Sequence, residues 1–159
     1  MEALLVGSST VGSWQSVSSC LGGVGFVKWR SIKPYKSNTM GTFRDLTVYR
    51  KAFKLAMDIF HECKGFPAEE KYSLTDQIRR SSRSVCSCIG EAYRKKKYPK
   101  HFASKLTDAD SENTETQVWC DFALTCKYIT KEKYEAWIAE SEEVGRMLFS
   151  MIENPEKFS

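Results

Sequence analysis

From Ser73 to Lys97 the chain reads SLTDQIRRSSRSVCSCIGEAYRKKK, and its apolar and charged positions separate at a helical period. At about 100° per residue Leu74, Ile78, Ser81, Val85, Ile89 and Ala92 share one narrow sector. Arg79, Arg80, Arg83, Arg94 and Lys97 occupy the opposite sector. The pattern predicts one helix with a core side and a cationic side. Ser73 and Asp76 form an S-x-x-D arrangement expected to cap its start.

Three further helices follow from the same kind of pattern. From Asp45, the residues Tyr49, Ala52, Phe53, Ala56, Met57, Phe60 and Cys63 recur at spacings of three and four. Gly65, Phe66 and Pro67 are expected to end that helix, with glycine in a left-handed cap. Pro99 is placed to open the third helix. There Phe102, Leu106, Ala109, Asn113, Thr116, Cys120, Ala123 and Leu124 share a face. The middle of this stripe is polar, so Asn113, Thr116 and the adjacent Gln117 need buried partners, which Ser81, Ser82 or Ser84 can supply. Thr130 is expected to cap a fourth helix with Tyr134, Trp137, Ile138, Ser141, Val144, Gly145, Leu148 and Ile152 inward and Pro155 as its stop. Four helices of about 20 to 28 residues with short connections and no strand signal predict an all-α, up-and-down four-helix bundle over residues 40–159.

Residues 1–39 differ in kind. They hold eight serines and five glycines with no sustained period, which reads as a flexible extension. Within it Val24–Trp29 has the composition of a short strand or docking segment, and FVKWRSIKPYK interleaves aromatic and cationic residues in a way that suits RNA. Composition changes sharply at Met40, the expected biological start. No apolar run approaches the roughly 18 to 20 residues that span a bilayer, so no membrane partner is expected.

The formal net charge of +4 is misleading until it is located. Lys28, Arg30, Lys33 and Lys36 against Glu2 give the extension +3, which leaves +1 for the other 120 residues. A nucleic-acid argument therefore rests on local clustering. Arg79, Arg80, Arg83, Arg94, Lys95, Lys96, Lys97 and Lys100 form such a cluster, with Tyr93 and Tyr98 available for stacking. The competing reading is a solvated face with local ion pairs such as Glu91 with Lys95. On the back of the third helix Val118, Trp119 and Phe122 lie outside the core stripe and read as a subunit contact.

The six cysteines lack a secretory context and read as free thiols in a reducing cytoplasm. Cys86 with Cys88, and His61 with Cys63, are too closely spaced for an ordinary zinc site. Asp108, Asp110, Glu112 and Glu115 lack the E-x-x-H companion of bundle metal centres. They read as solvated acids or as partners, across a subunit interface, for the arginines of the second helix. Neither a metal nor another cofactor is expected.

The body from Phe43 to Phe158 resembles the small bacterial four-helix-bundle proteins encoded within intervening sequences of 23S ribosomal RNA genes. The resemblance is carried by FRDLTVYRKAFKLA (Phe43 to Ala56), FPAEEKYSLTDQIRRSSRSV (Phe66 to Val85), IGEAYRK (Ile89 to Lys95), SENTETQ (Ser111 to Gln117) and EEVGRML (Glu142 to Leu148). The chain departs from it where the family's proline and asparagine after QIRR are replaced by Cys86 and Cys88. The resemblance implies a bundle assembling as a ring, commonly a homopentamer, with no known reaction. The family is also similar in fold to accessory proteins of diversity-generating retroelements, which implies RNA or DNA, or a reverse transcriptase, as partners. Arg94 and His101 form R-x6-H, similar to the pair of HEPN-type ribonucleases, a less favoured catalytic alternative. The expected protein is a non-enzymatic, oligomeric nucleic-acid binder or a protein-interaction scaffold.

Overall fold

A computed structural model describes residues 41–158. The predicted extension over residues 1–39, its Val24–Trp29 segment and the start at Met40 lie outside the described residues. Four helices account for most of the described chain: α1 (Thr47–Glu62), α2 (Leu74–Arg94), α3 (Pro99–Thr125) and α4 (Lys131–Glu153). They run up and down in sequence, with α2 packed on α3, α3 on α4, and α1 closing the bundle against α2 and α4. The expected bundle is therefore the observed one, although α1 spans only 16 residues. No strand occurs among the described residues.

The interior has two apolar layers. Val48, Val85, Ile89, Phe102, Leu106, Val144 and Leu148 anchor the upper layer. Leu55, Ile59, Ile78, Cys120 and Trp137 anchor the lower one. Between them Ser81, Ser82, Asn113, Thr116 and Ser141 are buried. Thr116 donates to Ser81 Oγ at 2.9 Å, as the polar stripe predicted. Asn113 and Gln117, however, turn to α4: Asn113 Nδ2 donates to the Ser141 carbonyl at 3.0 Å, and Gln117 Nε2 to Ser141 Oγ at 2.9 Å. A satisfied polar layer of this kind penalises any slip of α3 against α4, which would strand its donors in apolar surroundings.

The periodic row read from the sequence coincides only in part with the buried face of α1, through Ala52, Ala56 and the following Cys63. The buried residues of the helix are Val48, Ala52, Leu55, Ala56 and Ile59, whereas Tyr49, Met57 and Phe60 are half-buried and Phe53 is exposed. Apolar residues cover about half the wheel of this helix, so period alone does not fix its phase. The compact aliphatic row fills the core, and the aromatic row, rotated by about 100° from it, lies toward α2.

Two helix ends also differ from expectation. Gly65 is not left-handed, because α1 closes through a short 3-10 turn over Cys63–Gly65. Ser73 makes no side-chain cap on α2. Glu70 takes that role, its carboxylate accepting from the Leu74 N–H at 3.2 Å, from the Ser73 hydroxyl and from Tyr128 Oη at 3.1 Å. Five residues of 3-10 helix, Ala68–Tyr72, bring Glu70 beneath the first turn, where a carboxylate meets the positive end of the helix dipole. The Ser73 hydroxyl, then the Leu74 N–H, hold the Glu70 carboxyl below its ordinary 4.5. A depressed carboxyl stabilises the fold above its unfolded pKa and loses that contribution as pH falls through the folded one. Glu70→Gln is accordingly expected to reduce the acid dependence of the urea midpoint between about pH 6 and pH 3; an unchanged slope would remove Glu70 as the cap.

The predicted cap at Thr130 is present, its Oγ1 accepting from the Lys133 N–H at 3.3 Å. Just before it, Lys127 has φ 62°. The Tyr128 N–H bonds to the Ala123 carbonyl and the Lys127 N–H to that of Leu124, both at 2.9 Å. This is the Schellman arrangement, whose left-handed residue is normally glycine. Lys127→Gly should raise stability by about 1 kcal/mol, read as a higher urea midpoint, since the strain of a Cβ at positive φ exceeds the added entropy of an unfolded glycine.

Candidate nucleic-acid interface

The cationic cluster sits on and just beyond α2. The helix buries Leu74, Ile78, Ser81, Val85, Ile89 and Ala92, the apolar sector read from the sequence. It ends at Arg94, three residues earlier than expected. Pro99 disfavours helical backbone at Tyr98, which lies at φ −125° and ψ 87°. Lys95–Lys97 consequently form the α2–α3 turn, closed by the Lys95 N–H on the Ala92 carbonyl and the Tyr98 N–H on the Lys95 carbonyl, both at 2.8 Å. Three lysines at the negative end of α2 are also favoured by its dipole.

The eight cations divide into two groups. Arg94, Lys95, Lys97 and Lys100 are exposed around the turn, and Lys96 lies over the Tyr93 ring at 4.9 Å. Tyr93 is engaged through its hydroxyl with the Gly41 carbonyl. Tyr98 is 65% exposed, with only the edge of His101 against it at 6.2 Å, so it is the free stacking surface of the turn. Arg79, Arg80 and Arg83 lie toward the other end of α2. Arg83 and Arg94 are eleven residues apart, about 16 Å along the axis, with Cys86, Ser87 and Gly90 between them.

None of the eight has a carboxylate within ion-pair distance among the described residues, whereas Lys51, Lys54, Lys105, Lys131, Lys133 and Arg146 all do. The anticipated Glu91–Lys95 pair is absent. Glu91 reaches Lys105 of α3 at 3.1 Å, and Lys105 also holds Asp108 at 3.2 Å. Hydrogen bonds to Glu91 and then Asp108 raise the Lys105 ammonium well above its ordinary range. Arg80 donates to Gln77 Oε1 at 2.5 Å.

The acids of α3 take up local partners. Besides Asp108, Glu115 accepts the Trp119 indole N–H at 3.0 Å. Among the described residues no three His, Cys, Asp or Glu side chains converge as a metal site would require. Burial pushes the thiols of Cys63 and Cys86 up to about 11 and that of Cys120 to about 12, so they are protonated at neutral pH and poor nucleophiles. His101 is exposed at the start of α3.

Two apolar surfaces accompany the cations. Val118 is 45% and Phe122 51% exposed on the outside of α3, with Trp119 beside Phe122 at 5.6 Å. The second surface was missed in the sequence. Phe43, Tyr49 and Phe53 form a ring-to-ring row, with spacings of 4.9 and 6.1 Å. Together with Cys86, Gly90 and Arg94, Phe43 and Tyr49 line a shallow cleft of about 350 Å³. The available signal was the width of the apolar arc on α1, too broad for one core stripe. No described helix is long and apolar enough to cross a membrane.

Comparison with known proteins agrees with this architecture. A crystal structure at 1.70 Å of a protein of unknown function from the S23 ribosomal protein family of Bacteroides thetaiotaomicron is 32% identical, with a TM-score of 0.61 over 66% of this chain and 97% of that one. No curated protein matches the chain. The profile of the 23S rRNA-intervening sequence proteins matches residues 44–150, which takes in all of α1, α2 and α3 and most of α4. The chain belongs to the 23S rRNA-intervening sequence protein family.

Proposed function

We propose that this protein is a non-enzymatic nucleic-acid-binding bundle, with RNA as the favoured polymer, that contacts phosphates through the rim of Arg94, Lys95, Lys96, Lys97 and Lys100. The observation that carries this reading is that none of these cations has an acid partner among the described residues, whereas Lys51 and Lys54 of α1, Lys105 of α3, and Lys131 and Lys133 of α4 are all paired. Unpaired cations at one end of the bundle retain their full attraction for an external polyanion. Tyr98 adds a sequence-tolerant stacking surface. An exposed ring suits the unstacked bases of a single strand, which favours single-stranded RNA.

The test is a titration of labelled single-stranded and duplex RNA at two salt concentrations. About five phosphate contacts predict a slope near −3.5 in log affinity against log salt for a single strand, or roughly 100-fold weaker binding for a fourfold rise in salt. Binding that ignores salt, or no binding, would end the proposal.

A second reading concerns assembly and rests on the exposed Val118 and Phe122. We read this face of α3 as the subunit contact of a ring-forming homo-oligomer, a pentamer being the expected size, in which the rim repeats once per subunit. Light scattering of Val118→Glu/Phe122→Glu should then show a monomer; an unchanged mass, or a monomeric wild type, would contradict it.

A further inference from the structure

Three cations near the α1–α2 junction, Lys64, Arg79 and Arg83, do not share the character of the rim. Arg79 and Arg83 of α2 place their guanidinium carbons 5.1 and 5.3 Å from the centroid of the Phe60 ring, and Lys64, just after α1, places Nζ 5.0 Å from the same point. Three positive centres therefore crowd one ring, and no two of them can be farther apart than twice the longest of these distances. No carboxylate of a described residue lies within ion-pair distance of any of them. The nearby Glu62 is committed to Lys133 of α4 at 3.2 Å.

Aromatic attraction explains why one cation settles on Phe60, and it does not explain three. The ring quadrupole is a weak, short-range partner, whereas like charges at these separations repel over the whole cluster. Arg79 adds a second anomaly. It is half-buried, and its Nε is sealed from solvent with no hydrogen-bond partner; the group it meets is the Cys63 thiol, a weak and uncharged acceptor, an arrangement that costs free energy for a charged donor. A desolvated guanidinium without a counter-charge, beside a second guanidinium and an ammonium, gains most from an anion that accepts from several donors at once. Two guanidinium forks and a mobile ammonium suit a tetrahedral oxyanion of high charge better than a flat carboxylate.

We propose that Lys64, Arg79 and Arg83, gathered around Phe60, form a discrete site for a phosphate group, separate from the α2–α3 rim. The phosphate can belong to a nucleic-acid strand or be free in solution, and the chemistry of recognition is shared. The inference goes beyond the rim reading, since it requires only one phosphate group.

The full chain, labelled with nitrogen-15, is titrated with inorganic phosphate at constant ionic strength, with chloride as the control. Saturable shifts of the Arg79 and Arg83 side-chain N–H signals are expected. Binding should weaken at least tenfold in Arg83→Gln and in Lys64→Gln, both changes at exposed positions that leave the fold intact, and should persist in a variant with Lys95, Lys96 and Lys97 changed to Gln. Shifts that stay linear as they do with chloride, or equal weakening by the rim variant, overturn the proposal. Competition by a tetranucleotide with and without a 5′-phosphate then identifies the source. Displacement by both points to the strand backbone, by the phosphorylated one alone to a terminal phosphate, and by neither to free phosphate. Loss of RNA binding in the rim variant bears on the rim and leaves this site untouched, so the two readings fail separately.

Discussion

Phe102→Ala is expected to cost about 3–5 kcal/mol of folding stability, the usual penalty for deleting a fully buried phenylalanine. Phe102 is 2% exposed and belongs to the upper apolar layer with Ile89, Leu106 and Leu148. It also lies in the first turn of α3, where its N–H bonds the Tyr98 carbonyl at 2.9 Å, and its ring stacks on Phe158 at 6.1 Å. A cavity here loosens both the attachment of the C-terminal turn and the segment that shapes the rim. Domains of this size hold only about 5–15 kcal/mol in total, so the variant should unfold at a much lower urea concentration with an unchanged m-value. Phe158→Ala, at a half-buried position, should cost roughly 1–2 kcal/mol. A loss below about 1 kcal/mol for Phe102→Ala would mean that the first turn of α3 is not packed as described.

The contrast between α2 and α1 shows what a hydrophobic pattern can and cannot specify. On α2 every large apolar side chain falls in one sector and every arginine in another, so the buried face has a single solution. On α1 the aliphatic row through Val48, Leu55 and Ile59 and the aromatic row through Tyr49, Phe53 and Phe60 are both apolar. Only the partners decide between them: aliphatic chains interdigitate in a narrow four-helix core, while Phe60 gains by receiving Arg79 and Arg83 from the neighbouring helix. The same limit explains the cation site. Arg79 and Arg83 were visible as a basic pair, but Lys64 joins them through the fold of a 3-10 turn and not through sequence spacing.

Helix ends were legible only where local chemistry suffices, and of the buried polar pairings between helices only Thr116 with Ser81 was read correctly. Thr130 caps α4 because its hydroxyl needs nothing beyond the next turn. The cap of α2 comes from Glu70, because the intervening 3-10 segment carries a longer acid to the same N–H groups and engages Ser73 as well. Asn113 and Gln117 choose Ser141 over the serines of α2 because Ser141 is itself buried and offers both a hydroxyl and a helix carbonyl. For Glu91 the sequence offered Lys95 one turn away, yet the end of α2 at Arg94 removes Lys95 from the helical register that such a pair needs. Lys105, held on the facing helix, takes its place.

That exchange is what exposes the rim, and it leads to the largest functional effect expected. Changing Lys95, Lys96, Lys97 and Lys100 together to Gln removes four unpaired cations. If each meets one phosphate, the salt slope falls by about 2.8 and affinity for single-stranded RNA near 0.1 M salt drops by about 10²–10³-fold. Stability should hardly change, because no described acid loses a partner. The informative control is a second variant with the same loss of four charges, in which Lys51, Lys54, Lys131 and Lys133 become Gln. Each of these is already paired, with Glu143, Glu140, Glu135 and Glu62 respectively. A paired lysine has little field left for a distant polyanion, so this control should lose less than tenfold in affinity despite its identical net charge. Equal losses in the two variants would show that RNA responds to the overall charge of the bundle, and the rim would then have no special place in binding.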